Sequence, residues 1–86
     1  MKAKEIEAVV ARFPQHELAV RRLHARDPTF RSICEDYGEA LRALRFWEAA
    51  EEPVSQSRVR QYRELVGELE DEIAKFLAGP EGPASG

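Results

Sequence analysis

Two apolar ladders with helical spacing constrain the fold of this chain more than any other feature. In the last third of the sequence, apolar residues recur at alternating intervals of three and four positions, at Val59, Tyr62, Val66, Leu69, Ile73 and Phe76. An upstream ladder keeps the same alternation, at Phe30, Cys34, Tyr37, Leu41 and Leu44. Such spacing brings each set of side chains to one side of an α-helix. The chain is therefore predicted to contain two long amphipathic helices.

The segment between the ladders is short, covers residues 51–55 and carries Pro53 near its middle. A helix with an apolar stripe must bury it, and a short connection makes the neighbouring helix the nearest partner. We therefore predict an all-α fold built on an antiparallel, coiled-coil-like hairpin of helices 28–50 and 56–78. Folding the chain about residue 53 places Phe30 beside Phe76 or Leu77.

Local signals mark the ends of the hairpin helices. Asp27 can accept hydrogen bonds from the first free amides of a helix, and Pro28 is preset for the first helical position. Ser55 or Ser57 is predicted to cap the second helix. The tail 79–86 begins with a Gly-Pro pair that ends a helix and offers almost nothing apolar, so we expect it to be disordered.

One or two short helices are predicted ahead of the hairpin, within residues 3–26. Four apolar residues lie on one face of the first, at Ile6, Val9, Val10 and Phe13. Pro14 then produces a kink or begins a separate helix that runs to about Arg26. The apolar contacts of that second segment are predicted to be Leu18, Val20 and Leu23.

Composition narrows the class of protein. The 86 residues make one small domain, predicted to span residues 1–78, and its core is marginal because small domains bury a limited share of their surface. A content of 43% apolar and 34% charged residues is typical of a soluble or coiled-coil helical protein. The formal charge of -3 argues against general nucleic-acid binding, which needs a concentrated positive face.

The single cysteine and the amino terminus bear on location. Cys34 has no second cysteine with which to form an intramolecular disulfide, so a bridged secreted scaffold is excluded and a cytoplasmic protein is expected. Its place in the ladder predicts a small buried apolar side chain. The amino terminus alternates charges where a signal peptide would be apolar, and no apolar run is long enough to cross a membrane.

The apolar stripe of the hairpin is wider than one helix pair can cover. Four apolar residues lie just off the ladders, at Ile33, Trp47, Leu65 and Leu77. Either the amino-terminal helices fold back over them, or a second copy of the hairpin completes a four-helix bundle, and we expect both. The chain is therefore predicted to be a homo-oligomer, with a dimer favoured.

Charge is distributed unevenly along the predicted hairpin. Its open end is acidic, with Glu35, Asp36, Glu39, Glu68, Glu70, Asp71 and Glu72. Arginines collect nearer the turn, and neither cluster is expected to be neutralised within the hairpin. Residues 1–26 carry a surplus of basic side chains that can cover the acidic end. Alternatively, two antiparallel hairpins would set each acidic end near the arginines of the other copy.

A set of residues spread over the chain resembles the YdcH-like family of short bacterial proteins. The matching residues are Phe13-Pro14, Leu23, Asp27-Pro28-x-Phe30, Tyr37, Leu41, Leu44, Glu48, Leu69-Glu70-Asp71-Glu72-Ile73 and Leu77. The resemblance implies a small cytoplasmic helical hairpin that self-associates, and it brings no catalytic residues. The family usually has a lysine where Glu70 stands, and this chain begins about a dozen residues earlier than the family pattern.

No group of residues predicts an enzyme, a metal site or a cofactor site. His16 and His24 are eight positions apart, about 12 Å along a helix, which is too far for one metal ion. Glu70 and Glu72 face different sides of their helix, and no nucleophile, base or glycine-rich phosphate loop accompanies them.

The strongest candidate site is a cluster of arginines and aromatic residues near the turn. We predict that it binds another protein, because both residue types are enriched at protein interfaces. Its members are Arg42, Arg45, Phe46, Trp47, Arg60 and Arg63. Phe46 is expected to point away from the ladder and to be exposed. The alternative is a small nucleic-acid-associated regulator that uses the same arginines, and a mixed-sign surface would argue against it.

Overall fold

The computed structural model of the protein describes residues 3–78, with side chains from Ile6 onward, and contains four α-helices. They are α1 (Ala3–Arg12), α2 (Glu17–Arg26), α3 (Pro28–Ala49) and α4 (Ser55–Ala78). No β-strand occurs in this part of the chain, so the predicted all-α fold is confirmed. The expected disorder of the tail 79–86 lies outside the described residues.

Helices α3 and α4 form the predicted hairpin. At its open end the rings of Phe30 and Phe76 meet edge to face, with centroids 5.2 Å apart. Further along, the Tyr37 hydroxyl donates a hydrogen bond of 2.8 Å to Oε2 of Glu70. Both contacts join residues that the fold about residue 53 brings together, which confirms the predicted register.

Asp27 both ends α2 and begins α3. Its backbone N–H donates to the Leu23 carbonyl at 2.8 Å, which closes the last turn of α2. Its Oδ1 atom accepts from the amides of Thr29 at 2.9 Å and Phe30 at 3.1 Å, which confirms the predicted cap. A single residue therefore separates the two helices, and the direction of the chain changes without a loop.

The predicted serine cap of α4 is wrong. Helix α4 begins at Ser55, so this residue already lies inside the first turn and its side chain cannot precede the free amides. The Ser55 hydroxyl instead accepts from the Glu52 amide at 3.2 Å, and the Ser57 hydroxyl donates to the Val54 carbonyl at 3.3 Å. These two hydrogen bonds tie the connecting turn to the helix.

The amino-terminal segment folds back onto α3. A 3₁₀ turn at Pro14–His16 separates α1 from α2, and both helices pack against α3. Val9 of α1 and Val20 of α2 are fully buried. Leu18, predicted as a contact, is instead 69% exposed, because two residues along a helix correspond to a rotation of about 200° and the helix cannot bury both Leu18 and Val20.

The core is concentrated at the open end of the hairpin, which we define as residues 28–40 and 66–78. All four helices contribute to the core, whose fully buried side chains are Val9, Val20, Phe30, Cys34 and Ile73. The other end, residues 41–65, is called the turn end, and there Ser55 is the only buried residue. Within residues 3–78 no helix has the length and apolar character needed to span a membrane.

Candidate protein-interaction surfaces

A groove of about 500 Å³ lies between α3 and α4 at the turn end. We call it the turn-end groove. Its walls are formed by Trp47, Glu48, Ala50, Ser55, Gln56, Val59, Arg60, Arg63 and Glu64. No described residue of α1 or α2 lines this groove.

Trp47 is the central aromatic residue of this region. It is half-buried, and the ring of Phe46 meets it edge to face with centroids 5.0 Å apart. The guanidinium carbon of Arg58 lies 5.7 Å from the centroid of the Trp47 ring, within the range of a cation–π contact. Phe46 is 63% exposed, as predicted. The two rings and the arginine form a preorganised, partly apolar edge beside the groove.

The turn-end groove has mixed charge. Arg60 and Arg63 face it together with Glu48 and Glu64. Nη2 of Arg63 lies 3.4 Å from Oε2 of Glu48, so the expectation that the arginines find no neutralising partner within the hairpin is wrong for Arg63. Glu48 follows Leu44 by four positions and therefore continues the α3 ladder toward α4.

The six predicted interaction residues do not form one cluster. Trp47, Arg60 and Arg63 line the turn-end groove. Arg42 and Arg45 instead border a separate depression of about 390 Å³ between α3 and α1, which Glu7 and Ala8 of α1 also line. The reason is that α1 packs along this side of α3, which the sequence pattern of α3 alone does not reveal.

Of the groove residues that were not predicted, Val59 and Glu48 are the two for which the sequence carries a signal. The spacing of Val59 predicts a ladder residue, but its side chain is only half-buried and lines the groove. The sequence does carry a signal for this position. The α3 ladder ends at Leu44, so Val59, the first apolar residue of α4, has no ladder residue of α3 opposite it. Glu48 enters the sequence analysis only through the family resemblance, although its spacing of four from Leu44 indicates that it continues the ladder.

The four residues predicted for self-association differ in their exposure. Ile33 and Leu77 are half-buried and pack against the core of their own chain. Trp47 is half-buried at the turn end. Leu65 is 39% exposed. Part of the wide apolar stripe is therefore covered within one chain, and Leu65 remains at the surface.

Leu65 belongs to a second depression, of about 440 Å³, which we call the α3–α4 face. It is lined by Asp36, Glu39, Ala40, Ala43, Tyr62, Leu65 and Leu69. Helix α1 borders Gly38 and Leu41 of α3. Because two residues along a helix rotate by about 200°, Ala40 and Ala43 lie nearly opposite to those positions. The α3–α4 face is thus on the side of the hairpin that α1 leaves uncovered.

The acidic open end is partly covered by a residue from α1. Nε of Arg12 lies 3.2 Å from Oε2 of Glu70, the same atom that accepts the Tyr37 hydroxyl. Burial, followed by the hydrogen bond to Glu70 and the charge of that carboxylate, raises the pKa of Tyr37. The predicted role of the basic amino-terminal segment is thus confirmed at Arg12.

The remaining candidate residues lie apart from these surfaces. Cys34 is fully buried in the core, as predicted. Nε2 of His24 is shielded from solvent and has no hydrogen-bond partner among the described residues. Among residues 3–78, no group of three or more histidine, cysteine, aspartate or glutamate side chains is arranged to hold a metal ion.

Comparison of the chain with protein-family models, with curated proteins and with solved structures found no match. The resemblance to the YdcH-like family therefore stays a prediction. The fold itself defines a small all-α protein in which two short helices brace one end of a helical hairpin.

Proposed function

We propose that this protein is a non-catalytic helical interaction module of the cytoplasm, which associates with a second copy of itself and binds another protein. One observation carries the proposal. The amino-terminal helices brace the open end of the hairpin, while the turn end keeps a groove and three exposed large apolar side chains, Phe46, Val54 and Leu65. Exposed apolar surface beside polar groups is typical of interaction sites.

The chemistry of the turn-end groove favours a polypeptide partner. Val59 and the half-buried Trp47 supply apolar contact area, and Arg60 and Glu64 supply charges of both signs. Tryptophan and arginine frequently carry the largest share of binding energy at protein interfaces. A partner segment with apolar side chains and both acidic and basic groups matches this surface.

Nucleic acid is the alternative partner, and the charge of the groove disfavours it. Arg58 and Arg60 are exposed, as a phosphate-binding surface requires. Glu48 and Glu64 face the same groove, however, and Glu48 already pairs with Arg63. A gel-shift titration at low salt separates the two functions, because retention of DNA or RNA that falls steeply with added salt would support the alternative.

The partner-binding proposal is tested by affinity capture from the native cell with the wild-type chain and two matched double variants. Trp47→Ala with Arg60→Ala removes one aromatic residue and one arginine from the turn-end groove. Leu18→Ala with Arg22→Ala removes one exposed apolar residue and one exposed arginine from α2. We expect a protein that the wild type and the α2 variant retain and the groove variant loses. Equal recovery by all three would overturn the proposed role of the groove.

The proposed location of the protein is the cytoplasm. It is supported by the single cysteine, which lies in the core and cannot serve an intramolecular disulfide. Fluorescence microscopy of the tagged chain in its native cell, together with fractionation, tests it. Recovery in an exported or membrane fraction would contradict this location.

A further inference from the structure

We infer that the second copy docks on the α3–α4 face in antiparallel orientation, with a two-fold axis near Leu65, so that Arg58 of each copy meets Glu72 of the other. This inference rests on the proposed self-association. It adds the surface, the orientation and the pairs of residues that hold the two copies in register.

The spacing of three α4 residues supports the position of the axis. Arg58, Leu65 and Glu72 are seven residues apart in sequence. Seven residues make almost two full turns, so the three side chains lie along one strip of the helix, with Arg58 and Glu72 each about 10 Å from Leu65 along the axis of α4. A two-fold rotation at Leu65 therefore exchanges the positions of Arg58 and Glu72.

The shape of the α3–α4 face provides room for a second helix. Ala40 and Ala43 carry short side chains, and with Tyr62, Leu65 and Leu69 they surround the depression of about 440 Å³. Leu65 lies at the margin of the depression and is 39% exposed. Burial of the rest of its side chain would lower the free energy, because apolar surface in water is unfavourable. A copy of the same face brings a second Leu65 to this depression.

Charge fixes the orientation. Arg58 lies at the turn end of the strip, and Glu72 lies at the open end, where Asp36 also borders the face. A parallel dimer would set arginine against arginine and glutamate against glutamate, which is destabilising. An antiparallel dimer sets opposite charges together twice, since an isologous interface repeats each contact.

Both members of the proposed pair are available in the isolated chain. Arg58 is exposed, and within the described residues its side chain takes part in no ion pair; its guanidinium lies over the Trp47 ring and, at 3.4 Å, donates to Oε1 of Gln61. Glu72 is exposed and takes part in none of the ion pairs within the described residues. The opposite side of the hairpin carries α1, and the turn-end groove already holds the Arg63–Glu48 pair. Self-complementary charge thus favours a second copy on this face over an unrelated partner.

A charge-exchange cycle on the full chain tests the inference. Sedimentation equilibrium gives the dimer Kd for the wild type, Arg58→Glu, Glu72→Arg and the double variant R58E/E72R. Each single change creates two like-charge contacts and is expected to raise Kd about tenfold at low salt, since exposed charge pairs contribute about 0.2 to 1 kcal/mol each. The double variant is expected to return to within about threefold of the wild type. Circular dichroism verifies that all four chains keep their helices.

A cysteine at the proposed axis gives a second readout that does not depend on charge. Leu65→Cys is expected to form a disulfide-linked dimer under mild oxidation, because a residue beside a two-fold axis meets its own copy. Leu18→Cys on α2 is the control and is expected to remain uncrosslinked, since Leu18 is exposed but lies on another helix. The native Cys34 is fully buried in both variants.

The outcomes separate this inference from the proposal on which it rests. A wild type that stays monomeric at all concentrations would overturn both. If the chain dimerises but the Arg58 and Glu72 variants leave Kd unchanged and Leu65→Cys does not crosslink, the self-association proposal is retained and the interface lies on another surface. Single variants that weaken the dimer without recovery in R58E/E72R would overturn the antiparallel pairing.

Discussion

The open end and the turn end belong to the same two helices, yet they differ in how much of their apolar surface is covered. At the open end, Phe30 and Ile73 are fully buried because α1 and α2 pack beside them. At the turn end, Val59 occupies the same ladder and is only half-buried, and Phe46 is largely exposed. A third layer of helix, rather than a different sequence pattern, makes the difference.

This comparison assigns different tasks to the two ends. Full burial of large apolar side chains supplies most of the stability of a small domain. Half-buried apolar and aromatic side chains contribute less to folding and leave surface that a partner can cover. The open end is therefore expected to control stability, and the turn end and the α3–α4 face to control association.

The largest effect is expected from a matched pair of ladder truncations. Ile73→Ala removes a fully buried side chain and should lower the free energy of unfolding by about 3 to 4 kcal/mol. Val59→Ala, on the same ladder at the turn end, should cost about 1 kcal/mol or less because its side chain is already partly in water. Urea denaturation followed by circular dichroism measures both. Equal losses in the free energy of unfolding for the two variants would contradict the claim that the open end controls stability.

Tyr37→Phe tests the polar contact at the open end. Loss of the hydrogen bond to Glu70 should lower the free energy of unfolding by about 1 kcal/mol at neutral pH. The pKa of Tyr37 is raised in the folded protein, so above about pH 10, the ordinary value, the unfolded chain releases the proton first and wild-type stability falls. The phenylalanine variant lacks this loss.

The difference in stability between wild type and Tyr37→Phe is thus expected to be constant at neutral pH and to shrink above about pH 10. Urea denaturation across this range measures it, and the same series with Tyr62→Phe is the control, since Tyr62 is half-buried and makes no hydrogen bond with Glu70. A stability difference between wild type and Tyr37→Phe that stays constant above about pH 10 would contradict the raised pKa of Tyr37.

Gly67→Ala is expected to stabilise the protein. Gly67 lies inside α4 just beyond the turn end, and a methyl group added there would meet no atom within 4 Å. Alanine is favoured over glycine in a helix interior by about 0.5 to 1 kcal/mol, so the midpoint of thermal unfolding should rise. A lower midpoint would show that this position needs the glycine for a contact outside the isolated chain.

The smallest change in stability is expected from Phe46→Ser. Phe46 is 63% exposed, and among the described residues its ring meets that of Trp47. Its removal should alter the free energy of unfolding by about 0.5 kcal/mol or less, as is usual for surface substitutions. A cost comparable to that of Ile73→Ala would place Phe46 in the core of an oligomer. The turn end would then contribute to stability as well as to association.

Several features of the fold were predictable because they depend on residues close together in sequence. The cap by Asp27 and the interruption of the helix near Pro14 follow from local hydrogen bonding and backbone geometry. The pairing of Phe30 with Phe76 follows from the periodicity of the ladders and the short turn. Even so, Ser55 is not the cap that the sequence predicts, since helix ends shift by one residue without a change in pattern.

The candidate surfaces were predictable only in part. The residue types near the turn predicted an interaction site, but Arg42 and Arg45 lie in a depression with α1, apart from Arg60 and Arg63. The Arg63–Glu48 pair joins residues 15 positions apart, across the turn. Neither result follows from the pattern of one helix, because each depends on which side of the hairpin another element occupies.

By itself, the sequence determined that the chain forms helices, where most of them begin and end, and how α3 and α4 align. The physical reason is that backbone capping and the period of an amphipathic helix are local. Only the tertiary structure decided that α1 and α2 cover one end and one side of the hairpin, which leaves Leu65 and Phe46 in water. An apolar stripe requires burial but does not specify what covers it, so the partner of each face depends on packing between distant segments.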